Sequence, residues 1–329
     1  MPEIQYYNFY HVKTFLSKAV KDDRARTFFN FPQFFTKNTK AKFFLGIDGE
    51  GVKCLLLSED SVKAIRAELE DLTSSRISSM PSSNVSYENL EAIYIDSYKA
   101  YKDIDKRMKS FNKTAKEKTK LRKMIHKSEN AQKMYQAKKY FFVAIDIESY
   151  EKDHSCILEV GWSMYNSKTD LYMDRHFCVN ENKHLRNGQY VPDMKNRFNF
   201  GKTIWEDQKT IAEEFVKDLT GDDVKGYVVI VGHGVNMDIN YLETMGVKIN
   251  DLIEDDYQFD TAEMNAARMG KPNERISLGR LLDILDIENY SLHNAGNDAH
   301  YSLLLFFELC KLPIMPPESE EPEQISDSD

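Results

Sequence analysis

The chain has no apolar stretch approaching the roughly 20 residues that a membrane-spanning helix needs, which excludes a helical membrane protein. Its first residues, MPEIQYYNFYHVK, lack the apolar core of a secretory signal. Cysteine is scarce. Cys54, Cys156, Cys178 and Cys310 are scattered without the spacing of a zinc site or a disulfide framework, so free thiols in a reducing compartment are expected. Together these absences indicate a soluble intracellular protein, cytoplasmic or nuclear, with no membrane partner. With 41% hydrophobic and 29% charged residues, the 329-residue chain can hold one full α/β domain of about 170 residues and a smaller region beside it.

The formal net charge of −9 conceals an asymmetry. From Lys99 to Lys139 there are fifteen Lys and Arg against four acids, which leaves the rest of the chain near −20. This run belongs to a helical pattern starting near Ser86, with apolar positions at Leu90, Ile93, Tyr94, Tyr98, Tyr101, Ile104, Met108 and Phe111. Unbroken to His126, such a helix would extend roughly 60 Å at about 1.5 Å per residue. Its basic face, with Lys116, Lys118, Lys120, Arg122 and Lys123, is a candidate for phosphate contacts with nucleic acid. A solvated linker helix is the plainer alternative, and nuclear import through KEKTKLRK a further one.

The chain divides into four expected segments: a small α+β region (1–85), the long basic helix (86–139), a nuclease-sized α/β domain (140–312) and an acidic, proline-containing tail (313–329). The first holds a hairpin, FFLGIDGEGVKCLLL, a helix-like SEDSVKAIRAELEDL, and a flexible loop from Ser74 to Asn84. The tail lacks a hydrophobic pattern and is expected to be disordered, with Ser326 and Ser328 open to phosphorylation.

Chemistry concentrates in the third segment. FFVAIDIES reads as a buried strand from Phe141 that ends in two carboxylates one residue apart. Side chains alternate along a strand, so Asp146 and Glu148 point the same way and repel unless a cation lies between them. D-x-E alone is cheap and also occurs at Asp48/Glu50 and Asp286/Glu288. Gly49 and Gly51 make the first copy a hairpin tip, and the third follows the amphipathic LGRLLDILDI as its end or loop. Only the middle copy has suitable partners downstream. In GYVVIVGHGVNMDINYL a short buried strand turns at GHG into a helix start carrying Asp238, which taken alone could be simply a favourable first-turn acid. In SLHNAGNDAHYSLLLFFELC a helix bearing Leu303, Leu304, Phe307 and Leu309 is entered at Asp298, with His293 five residues earlier. On one helix the two side chains would diverge by about 140°. His293 is therefore placed on the preceding loop, folded back over the carboxylate, although a lone histidine in that position is often only structural.

The order D-x-E, an Asp after a GH-containing turn, then H-x-x-x-x-D resembles the DEDDh family of 3′-5′ exonucleases over roughly Tyr140 to Leu312. ILEVGWSMYN and FDTAEMNAARM followed by ISLGRLLDILDI are similar to the family's second strand and to its helical stretch before the last motif. The GH-x-x-x-x-D turn looks closest to the Rex-like RNA exonucleases. A more distant similarity is to a fungal group that includes an Argonaute-associated exonuclease. Gly234 and Met237 depart from the HN-x-x-FD form of other branches, which leaves the acid in place and changes its surroundings.

The resemblance implies an α/β, RNase H-like mixed sheet flanked by helices, beside the small α+β region and the basic helix. It also implies two Mg²⁺ or Mn²⁺ ions held by Asp146, Glu148, Asp238 and Asp298, with His293 as general base. The expected substrate is the 3′ end of single-stranded RNA or DNA, with RNA favoured, and an RNA-processing protein is an expected partner. The alternative is a catalytically weak or silent nucleic-acid-binding adaptor on the same fold. The N-terminal FFLGIDGEG echoes FFVAIDIES but has no matching H-x-x-x-x-D, so no second active site is expected.

Overall fold

The computed structural model describes residues 5–20, 22–30, 34–35, 41–221, 224 and 227–314. Most of the segment expected as a disordered tail, with Ser326 and Ser328, lies outside them. Among the described residues no helix is long and apolar enough to cross a membrane. Contacts divide the chain into two compact units, Met1–Lys118 and Thr119–Asp329.

The first unit is built from β1 (Tyr6–Asn8), α1 (Phe9–Ala19), α2 (Asp23–Phe28), β2 (Phe43–Asp48), β3 (Lys53–Ser58), α3 (Glu59–Thr73) and β4 (Tyr87–Ile93). It also includes the first part of α4 (Tyr98–Gln136). Its antiparallel sheet runs β1-β3-β2-β4. The aromatic-rich N-terminus supplies the core, in which Phe9, Phe34, Phe35 and Phe43 pack with Leu55, Leu57, Ile65 and Tyr101. Asp48 closes the β2–β3 hairpin by accepting the backbone N–H groups of Glu50 (3.0 Å) and Val52 (2.9 Å), with Gly51 at φ +80°. This D-x-E copy is thus a turn device, as expected. The stretch 74–86 is irregular, yet Ile77 is buried in the core and its N–H donates to Glu70 Oε1 (2.7 Å).

One expectation fails here: the basic helix does not start near Ser86. Tyr87–Ile93 is an edge strand paired with β2, Phe43 opposite Ile93 and Phe44 opposite Ala92. The open edge of β2 offers unpaired backbone groups, and pairing them outweighs a helical pattern of spacing. Leu90 and Tyr94, expected on the apolar stripe of that helix, are 42% and 72% exposed. The helix begins only where Ser97 Oγ accepts the Ala100 N–H (3.1 Å), an N-cap the pattern overlooked.

The second unit takes the remainder of α4, then β5 (Phe141–Tyr150), β6 (Asp153–Asn166), β7 (Leu171–Val179), β8 (Thr203–Glu206), α5 (Gln208–Thr220) and β9 (Val228–Gly232). It continues with α6 (Val235–Thr244), α7 (Ile249–Leu252), β10 (Gln258–Asp260), α8 (Thr261–Arg268), α9 (Leu278–Ile284) and α10 (Ala295–Lys311). The six strands order as β10-β9-β5-β6-β7-β8. The β5–β6 and β6–β7 pairs are antiparallel, while β5–β9, β9–β10 and β7–β8 are parallel. This α/β mixed sheet flanked by helices is the RNase H-like architecture.

Alternation along β5 sorts its residues between two cores. Val143, Ile145 and Ile147 pack toward Phe215 of α5 and Ile239 of α6. Phe142 and Ala144 pack toward Leu303 and Phe306 of α10. Asp146 and Glu148 continue the second parity and belong to the α10 face.

Candidate active site

Three features of the second unit bring distant acids to the end of β5. The first is the early end of β9, which pairs with β5 only from Phe141 to Ala144 and then turns away through Gly232, His233 and Gly234. The turn is pinned: His233 Nδ1 lies 2.9 Å from Thr261 Oγ1, and its Nε2 lies 2.9 Å from the Ile276 carbonyl. Gly234 is left-handed at φ +89°, and its N–H donates to Asp260 Oδ1 (3.1 Å). Helix α6 therefore starts beside the edge of β5 that β9 has vacated. There Asp238 Oδ1 accepts the Ile147 N–H at 3.0 Å. The acid bonds across to the strand that carries the D-x-E pair, beyond what a helix-start residue requires.

The second feature is a glycine opposite Asp146. Gly161 on β6 faces Asp146 across the ladder, and a Cβ there would lie 2.2 Å from the Ala295 backbone. Only glycine lets the first turn of α10 rest this closely on the sheet. Asp298, one turn into α10, thereby reaches the carboxylates of β5. The third feature is the loop before α10, where His293 is left-handed (φ +66°) and its backbone N–H donates to Asp298 Oδ2 (3.0 Å). The imidazole folds back, with Nδ1 4.0 Å from Glu148 Oε1, and its side chain remains 49% exposed. As expected, His293 sits on the loop and Asp298 in the first turns, with Asn294 as N-cap between them.

Glu148, His293 and Asp298 offer ligand atoms that all lie within 4.8 Å of one another, a group able to hold a metal ion. Asp146 and Asp238 belong to the same electrostatic cluster. Burial, then the charges of Asp298, Asp238, Glu148 and Glu159, push the Asp146 carboxyl well above its ordinary range. Burial and the carboxylates of Glu159, Asp298 and Asp238 push Glu148 up to about 8. Asp298 is pushed up to about 7, by burial first, against the lowering effect of the His293 N–H. Asp238 is raised mainly by burial, with the Ile147 N–H opposing. Asp146 Oδ2 and Asp298 Oδ1 are buried without a hydrogen-bond partner among the described residues. Hard oxygen donors turned inward without protons to accept fit a divalent cation, whose charge would restore these carboxylates to the ionised form.

The other two D-x-E copies stay outside the cluster. Asp286 is left-handed (φ +53°) just after α9, and Glu288 accepts the Tyr290 hydroxyl. The five cationic residues singled out in the sequence lie on α4. Lys116, Lys118, Arg122 and Lys123 are exposed, while Lys120 is half-buried and donates to Asn273 Oδ1 (3.1 Å).

Sequence reasoning missed Glu159 and His176, both buried, whose Oε2 and Nε2 lie 2.9 Å apart. A lone acid within the otherwise apolar CILEVGW was the signal available.

The fold is that of the RNase H-like superfamily. The DEDDh_C family, described as DNA polymerase III subunit epsilon-like, C-terminal domain, matches residues 141–309, just over half of the chain, and the protein belongs to it. This family is one of exonucleases, hydrolases acting on nucleic acid.

Three fungal relatives are similar over about half of the chain. An uncharacterized nucleolar protein of Schizosaccharomyces pombe, C2C4.08, is 34% identical over 166 residues, 49% of this chain and 65% of its own length. The uncharacterized protein YDR514C of Saccharomyces cerevisiae is 30% identical over 195 residues, 50% of this chain and 40% of its own length. A second Saccharomyces cerevisiae protein, named good for full DBP5 activity protein 2, is 28% identical over 199 residues, 50% of this chain and 34% of its own length. The chain thus spans less than two thirds of each relative.

Proposed function

We propose that this protein is a metal-dependent 3′-5′ exonuclease that removes nucleotides from single-stranded nucleic acid, RNA in preference to DNA. The observation that carries the reading is the meeting of Glu148, His293 and Asp298 within 4.8 Å at the end of a strand that also bears Asp146. Asp146, Glu148 and Asp298 would hold Mg²⁺ or Mn²⁺, with Asp238 contributing directly or through water. Two such ions, when bound, polarise the attacking water and neutralise charge on the entering and leaving oxygens. His293 accepts the proton of that water at its imidazole, and its exposure keeps the ring in reach of solvent. Histidine is the side chain most often used as a general base in catalysis.

The preference for RNA rests on the Rex-like turn. The name of one relative, which refers to the activity of DBP5, gives no substrate; the nucleolar name of another favours a nuclear over a cytoplasmic location for this chain. The exposed cations Lys116, Lys118, Arg122 and Lys123, together with Lys120, would add phosphate contacts and are the reason a binding adaptor is kept as the second reading. Incubation with end-labelled single-stranded RNA and DNA, with Mg²⁺, Mn²⁺ or chelator, separates the two. Metal-dependent laddering from the 3′ end that vanishes in Asp146→Ala supports the exonuclease. Binding without degradation supports the adaptor.

A further inference from the structure

Beside the candidate metal cluster lies a second buried polar group, Glu159 and His176. Glu159 on β6 stands directly opposite Glu148 in the β5–β6 ladder and is 3% exposed. Like charges placed opposite each other across a ladder are destabilising, so a carboxylate here needs a reason. Its Oε2 lies 2.9 Å from His176 Nε2 and accepts the Ala295 N–H, the first of α10, at 3.3 Å. His176, 0% exposed on β7, has its other ring nitrogen 2.9 Å from Thr203 Oγ1 of β8. The chain of bonds Thr203–His176–Glu159–Ala295 thus ties three elements, β8, β7 and β6, to the start of α10.

The start of α10 is where position matters. Ala295 stands between His293 and Asp298, and its backbone rests on Gly161. Gly296 lies against His176 so closely that a Cβ there would be 2.7 Å from the histidine Cβ. Glycine contacts permit this approach but give it no direction, whereas a hydrogen bond to a buried carboxylate does. The carboxylate also complements the positive end of a 17-residue helix. Asn294 completes the seat, accepting the Asn297 N–H (3.1 Å) and donating to the Met194 carbonyl (3.1 Å).

We propose that Glu159 and His176 are a positioning pair: they fix the first turn of α10, and through it His293 and Asp298, against β5, while the Glu159 charge strengthens the pull of the cluster on a cation. The inference rests on the nuclease reading given above. Glu159 influences the cluster from the neighbouring strand, since its charge is among the causes that raise Asp146, Glu148 and Asp298. Misplacement of a reacting group by about 1 Å can cost on the order of 100-fold in rate.

The test uses the full chain, with Glu159→Gln, Glu159→Ala and Thr203→Val. Three quantities are measured: kcat and KM on labelled single-stranded RNA at saturating Mn²⁺, Mn²⁺ affinity by calorimetry, and the melting temperature. Glu159→Ala is expected to lower kcat at least tenfold with KM within twofold of wild type. In Glu159→Gln the amide oxygen still accepts the Ala295 N–H, so kcat returns to within about threefold. Both variants bind Mn²⁺ severalfold more weakly. Thr203→Val removes only the outer bond and is expected to show a smaller kcat loss, which keeps the inference testable if Glu159→Ala does not fold. Wild-type kcat in Glu159→Ala, or in Thr203→Val if Glu159→Ala does not fold, whatever the melting temperature, would reduce the pair to a structural role. Loss in Glu159→Gln as deep as in Glu159→Ala would equally overturn the positioning argument. Failure of the nuclease reading is visible separately, as absence of metal-dependent hydrolysis by the unmodified protein, and the inference falls with it.

Discussion

Stability of the metal-free protein should fall as pH rises, and Glu148→Gln should remove much of that fall. Glu148 is held at about 8 and Asp298 at about 7, both above their ordinary range, so the folded state keeps protons that the unfolded chain has already released. The associated stability is fully present below about pH 4, where both states are protonated. It is lost progressively up to about pH 8, and the penalty is then constant. Each pKa unit is worth about 1.4 kcal/mol. Glu148 alone, ordinarily near 4.5, therefore accounts for about 5 kcal/mol at alkaline pH. Burial is the largest cause of the Glu148 shift, and the charges of Glu159, Asp298 and Asp238 add to it.

At about 2–4 °C per kcal/mol for a unit of this size, the melting temperature of Glu148→Gln in chelator should exceed that of wild type by roughly 10 °C at pH 9. At pH 4 the two should nearly coincide. Saturating Mg²⁺ should raise wild type and abolish the advantage of the variant. The assay is a thermal melt across pH 4–9 for both proteins, with and without metal. Parallel curves for the two proteins in chelator would refute the idea that burial and the neighbouring carboxylates hold the Glu148 carboxyl above its ordinary range.

Further outcomes are expected at neighbouring positions. His293→Ala should lower the rate by about 100- to 10,000-fold, the usual contribution of a general base, and leave Mn²⁺ binding by calorimetry largely intact, whereas Asp146→Ala should damage both. An equal loss of metal affinity in the two variants would exchange the role of His293 for that of a ligand. Gly161→Ala should destabilise the second unit by about 1–3 kcal/mol, read from the melting temperature, because the added Cβ meets the Ala295 backbone at 2.2 Å. An unchanged melting temperature would mean that α10 can shift freely. Replacing Lys116, Lys118, Lys120, Arg122 and Lys123 together by Ala should weaken RNA binding and flatten its dependence on salt, followed by fluorescence anisotropy. The same affinity and salt slope as wild type would leave α4 a solvated helix.

The sequence by itself determined the elements that local pattern controls. The run Phe141–Ile145 is a strand because its residues suit a surface buried on both sides, and period-2 alternation places Asp146 and Glu148 on one face. The Asp48 copy is a turn because Gly49 and Gly51 follow it, and Asn294, an N-cap, starts α10 between His293 and Asp298. Tertiary structure alone decided the rest, because the deciding contacts join residues far apart in the chain. Tyr87–Ile93 became a strand only because β2 had an open edge, which no window of spacing reveals. Asp238 gained its direction from a gap left where β9 stops short along β5. Glu159 is one acid in an otherwise apolar strand, and its partner, the Ala295 N–H of α10, lies 136 residues away in the chain. Local periodicity records which face a residue turns to, whereas hydrogen bonds and close approach between distant backbones depend on how those faces are stacked.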